Sequence, residues 1–92
     1  ALLLMDGLHA EAQQTANQWI QAAGAAGNIN SKADALWYRG KARLGLDDRK
    51  GALADFIEGA KLAPGSSNGF EAANLMFEER DFERCLQWSI EY

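Results

Sequence analysis

The stretch Ala35–Pro64, ALWYRGKARLGLDDRKGALADFIEGAKLAP, spells out one complete helical hairpin with its turn and its stop. Small residues stand where two helices must approach closely, Gly40 and Ala42 on the first arm and Ala52 and Gly59 on the second. Leu36, Leu44, Leu53, Phe56 and Leu62 supply the apolar bulk at helical spacing. Ala52 and Phe56 lie one helical turn apart on one face, and Pro64 ends the second arm. This is the pattern of a packing unit, with no catalytic signature in it.

Leu36, Gly40, Ala52, Phe56 and Pro64 resemble, in that order, the tetratricopeptide repeat, a helix-turn-helix unit with a large apolar residue, a small residue, an Ala, an aromatic and a closing Pro. A second copy follows. Ala73, Phe77, Phe82, Cys85, Leu86 and Ser89 repeat the roles of Gly40, Leu44, Arg49, Ala52, Leu53 and Phe56, each 33 residues later. The family's period is about 34 residues. Arg49 stands where the family has an aromatic, Asp47 where it has the turn Gly, and Arg43 at a usually apolar place. The likeness covers Ser31 to Tyr92 and implies an all-α fold: antiparallel helical hairpins stacked as a short right-handed array of about five helices. On this reading the chain is a single domain, with an atypical hairpin or helix over 1–30, repeat one over 31–65 and an uncapped repeat two over 66–92.

Composition agrees with helices. At 92 residues and 48% hydrophobic, the chain can bury one modest core. Ala, Leu, Gln, Glu and Arg dominate the periodic segments, and β-branched runs are absent. Leu8, Ala12, Ala16, Trp19, Ile20 and Ala23 form one apolar helical face, which resembles the second arm of a preceding repeat. Before it, Asp6 and Gly7 suggest a break, with Ala1–Met5 as the end of a first arm, or else one helix runs through Gly7. Gly24, Gly27, Asn28 and Asn30 predict the least ordered stretch, and Ser31 with Asp34 predicts a capping box. Helices follow over 32–46 and 48–63, with Asp48 as N-cap and Asp47 in a left-handed turn. Asn68 and Glu71 predict a further capping box opening a helix to Glu79, and Asp81 caps the last helix.

The net charge of −4 and the lack of a cationic cluster exclude nucleic acid as an expected partner, since that affinity comes from clustered Lys and Arg. Arg39, Lys41 and Arg43 read as a solvated or groove-facing stripe. The lone Cys85 reads as a structural thiol at a helix contact, and the lone His9 has no companions at ligand spacing, so no metal or cofactor is expected. His9 and Cys85 fall near opposite ends of the array, and no phosphate loop or serine elbow is present, which excludes an enzyme from the expectation. The apolar run Ala1–Met5 has neither the cationic start nor the length of a signal peptide or membrane span, which points to a soluble chain of cytoplasmic type without membrane contact.

The resemblance implies a concave surface made by the first helices of successive repeats, which holds a peptide. Carried over residue by residue, it takes Asp34, Trp37, Lys41 and Leu44 from one repeat and Phe70, Asn74, Phe77 and Glu78 from the next. Lys41 and Asn74 would hydrogen-bond a peptide, while the aromatics give area. The last helix has a second feature. Glu83, Gln87 and Glu91 make one narrow polar stripe, and apolar residues cover most of the rest. Leu86, Trp88, Ile90 and Tyr92 therefore form a candidate self-association face. The expected function is a protein-interaction module that takes a peptide, a partner helix or a second copy. The alternative is an engineered helical scaffold with no evolved ligand.

Overall fold

A computed structural model describes residues 8–91. Among these residues the chain is all-helical, in five helices: α1 (His9–Ala26), α2 (Ile29–Gly45), α3 (Arg49–Leu62), α4 (Ser67–Glu78) and α5 (Phe82–Glu91). Each helix packs on the next as an antiparallel hairpin, and α2 also packs directly on α4. That last contact stacks the α2–α3 hairpin on the α4–α5 hairpin. The molecule is 18 Å across its thinnest direction, about two helix diameters of ~10 Å. Ala1–Met5 and the expected break at Asp6 and Gly7 lie outside the described residues.

The two hairpins share one backbone plan at a spacing of 33 residues. Asp47 and Arg80 are the two non-glycine residues with positive φ among those described, at 63° and 61°. After each comes an aspartate cap: Asp48 accepts from the amide of Gly51, and Asp81 accepts from the amide of Arg84. The turn amides follow suit, with Asp48 N–H donating to the Arg43 carbonyl and Asp81 N–H to the Met76 carbonyl. The expected left-handed Asp47 and the caps Asp48 and Asp81 are all present.

Other boundaries differ from expectation. Helix α1 runs on through Ala26 and closes on Gly27 in the left-handed conformation, where no Cβ is strained. The link to α2 is thus two residues rather than a loose stretch. Asn28, not Ser31, caps α2, its side chain accepting from the Ser31 amide at 3.1 Å, so the helix starts earlier than the predicted capping box. The Ser31 hydroxyl instead accepts from the indole of Trp19 at 2.8 Å and ties α1 to α2. Asn68 is likewise no cap. It is buried, lies flat against Gly59 and donates to the Ala33 carbonyl at 3.0 Å.

The core has two parts. On α1 and α2 the buried residues are mostly small, Ala12, Ala16, Ala23, Ala33, Ala35 and Ala42, with Leu36 the one large apolar side chain fully buried there. Between α3 and α4 it is larger: Ala52, Leu53, Phe56, Ala60, Ala72, Leu75 and Met76, with Trp88 reaching in from α5. Phe56 is fully buried with its ring against Gly40, where a Cβ would collide with it. His9 is buried against Gly45 in the same way.

Candidate functional site

The eight groove residues are distributed over α2 and α4 as the repeat register requires, but they do not line one cavity. Asp34 and Trp37 line a cleft of about 340 Å³ together with Trp19, Tyr38, Ser66 and Asn68. Lys41, Leu44, Asn74 and Glu78 line a second, of about 310 Å³, together with Glu71. Phe70 and Phe77 stand outside both, largely exposed on α4. Trp19 and Tyr38 were not anticipated. Their rings lie 6.3 Å apart and tilted, and the apolar face of α1 that carries Trp19 is the sequence signal that could have placed it.

Lys41 is committed within the molecule. Its ammonium pairs with Glu71 at 2.9 Å and sits 5.7 Å from the Trp37 ring centroid. It therefore locks α2 to α4 rather than waiting for a peptide. Trp37 and Leu44 are half-buried and pack on the α3–α4 core.

The cationic stripe is also a correction. Arg39 and Arg43 are half-buried rather than a solvated stripe; both turn onto Asp55, which is only 3% exposed. Arg39 holds this carboxylate in a two-pronged contact, 2.6 and 3.0 Å, and donates to Asn17 of α1 at 2.9 Å; Arg43 reaches it at 3.1 Å. These hydrogen bonds to Asp55 raise the Arg39 pKa above its ordinary value, with burial opposing them. One buried carboxylate thus joins three helices. Charge pattern alone could not reveal it, because Asp55 lies on a different helix, 16 residues from Arg39.

On α5, the proposed self-association face is corrected at Trp88. The residue is 8% exposed, and its indole donates to the Gly69 carbonyl at 2.9 Å, so it faces α4. Leu86 and Ile90 are 66% and 80% exposed and lie one turn apart. Tyr92 lies outside the described residues. Cys85 is half-buried with Sγ 3.6 Å from the Ala73 carbonyl, at a helix contact.

The repeat register explains which apolar groups are uncovered. Phe70, Phe77, Leu86 and Ile90 stand 33 residues after Trp37, Leu44, Leu53 and Ile57. Of the earlier four, Leu53 is buried and Trp37, Leu44 and Ile57 are half-buried against the core, while the later four are all exposed, Phe70 at 70% and Phe77 at 62%. These four residues of α4 and α5 occupy the register at which, one repeat earlier, the first hairpin meets the second. They make up four of the seven exposed large apolar side chains among the described residues.

Among the described residues, no group of His, Cys, Asp and Glu could hold a metal ion, and no helix is long and apolar enough to cross a membrane. No family model, curated protein or solved structure matches the chain.

Proposed function

We propose that this chain is a protein-interaction module of tetratricopeptide-like build, and that it takes a helical partner on the face formed by α4 and α5. One observation carries this reading: positions that pack, wholly or half buried, against a following hairpin in repeat one are open at equal register in repeat two. Four exposed apolar side chains on two adjacent helices favour a partner that removes them from water. Trp37, Lys41 and Leu44, already engaged in packing, would support that face rather than grip a peptide themselves.

The test is a displayed library of helical peptides, selected against the chain and against Phe70→Glu with Leu86→Glu. Selected helices that bind the parent and lose the double variant support the module. Selections that yield nothing, or binders indifferent to the variant, overturn it and leave a helical scaffold without an evolved ligand.

A further inference from the structure

We infer that the cleft between α1, α2 and the start of α4 binds the quaternary ammonium group of a choline-type molecule. This site is separate from the α4–α5 face and stands without it. Three helices supply its walls: Trp19 from α1, Asp34, Trp37 and Tyr38 from α2, and Ser66 and Asn68 from the start of α4. Asp34 precedes Trp37 and Tyr38 by three and four residues, so one turn of α2 presents a carboxylate beside two aromatic rings. The rings are held in advance of any ligand. Trp19 donates to Ser31 at 2.8 Å and lies 6.3 Å from Tyr38 at a tilt of 58°, while Trp37 is half-buried against the α3–α4 core.

Three aromatic rings and a carboxylate attract a cation, and no Lys, Arg or His lines the cleft. Asp34 is exposed and makes no ion pair with another described residue. The molecule already uses the same chemistry once: the Lys41 ammonium sits 5.7 Å from the Trp37 ring centroid. That ammonium is neutralised by Glu71 and belongs to the neighbouring cleft, so it does not fill this one. Two polar atoms of the lining residues, Trp37 Nε1 and Asn68 Oδ1, are buried with no hydrogen-bond partner among the described residues, a cost that the fold alone does not explain.

The walls also choose the kind of cation. A primary ammonium is strongly hydrated and brings three N–H donors that need acceptors, whereas a fully methylated nitrogen has none and presents its charge through methyl groups. Aromatic rings suit the second. The volume, about 340 Å³, is at the small end of ligand pockets, roughly 300–1,000 Å³, and fits a small molecule. The remaining wall carries Ser66 and Ser67 at the N-terminus of α4, which is partially positive. It suits the oxygen end of a choline compound, a hydroxyl or a phosphate ester, and it disfavours the further cations of a basic peptide.

The experiment titrates choline chloride into the isotope-labelled full chain at constant ionic strength and follows the three indole N–H signals, with Trp88, which lines a different cleft, as internal reference. The expected result is saturable movement of Trp19 and Trp37 with a Kd of about 1 mM or tighter and a stationary Trp88. Ethanolamine, which lacks the methyl groups, should bind about tenfold more weakly. Asp34→Lys, at an exposed position and with unchanged melting verified first, should weaken choline about tenfold or more, and Asp34→Asn about threefold. Phosphatidylcholine vesicles separate the two sources of the group. Co-sedimentation with them and not with phosphatidylglycerol vesicles, lost in Asp34→Lys, supports the site with a lipid headgroup as its ligand; choline binding without co-sedimentation supports it with the free molecule. Absence of a saturable shift, equal binding of ethanolamine, or choline binding that survives Asp34→Lys overturns the inference. A short peptide with one trimethyllysine that binds more tightly than choline makes a protein side chain the occupant and overturns the choice of ligand.

Discussion

Hairpin α2–α3 and hairpin α4–α5 share a backbone and differ in what fills it. Both turn through a left-handed residue, Asp47 or Arg80, and both restart on an aspartate cap. Their interiors solve the same position in opposite ways. In the first, Arg39, Arg43 and Asp55 form a buried ionic cluster. In the second, the residues at equal register are Ala72, Met76 and Trp88, and the indole rests over Gly69 where the first hairpin has Leu36. Local signals set the path of the chain, and the side chains inside are free to be ionic or apolar provided their partners change together.

The sharpest way to break that comparison is Asp55→Ala. It leaves two half-buried guanidiniums without their carboxylate and should cost about 3 kcal/mol, the low end for a broken buried pair, because both cations keep access to water. Converting the whole cluster, with Arg39→Ala, Arg43→Met and Asp55→Leu, should return stability to within about 1 kcal/mol of the parent, as apolar replacement of ionic clusters often does. Urea midpoints decide the matter. A silent Asp55→Ala would mean that the cluster is ornamental, and a triple variant as weak as the single one would mean that the two fillings are not interchangeable.

The next contrast is between Leu53 and Leu86, the same residue at the same register. Leu53→Ala should cost about 2 kcal/mol or more because it empties a packed site. Leu86→Ala, at an exposed position, should stay within about 0.5 kcal/mol. Equal losses in thermal melts at dilute protein would show that something already covers the α5 face.

What the sequence made legible follows from the range of each signal. Turn and cap residues act within four positions, so Asp47, Asp48 and Asp81 could be read directly. Apolar spacing showed that α5 has more apolar surface than one neighbour can cover, and it identified Leu86 and Ile90. It could not tell which side of α5 meets α4, and Trp88 was misplaced for that reason. Ser31 and Asn68 fitted capping boxes by type, yet Asn28 captured the cap of α2, and Asn68 was drawn into the core by the space over Gly59. Arg39 and Arg43 read as a solvated or groove-facing stripe because their partner, Asp55, is on another helix. Comparing the two copies position by position gives no signal either, because Trp88, at the register of Asp55, is itself shown to be buried only by the structure.

The smallest effect separates the two turns themselves. Asp47 and Arg80 hold nearly the same φ, 63° and 61°, a region that costs an ordinary side chain about 1–2 kcal/mol but that Asp tolerates through local hydrogen bonding. Glycine removes that strain, and against it stands the greater freedom of glycine in the unfolded chain, roughly 0.5–1 kcal/mol. For Arg80→Gly the balance is a gain of about 0.5–1 kcal/mol, and for Asp47→Gly the two contributions nearly cancel. Melting temperatures of the two variants should therefore split, with only Arg80→Gly rising. If instead Asp47→Gly rises as much, aspartate gains nothing from its side chain in this turn, and the first hairpin is as strained as the second at the one place where their backbones agree most closely.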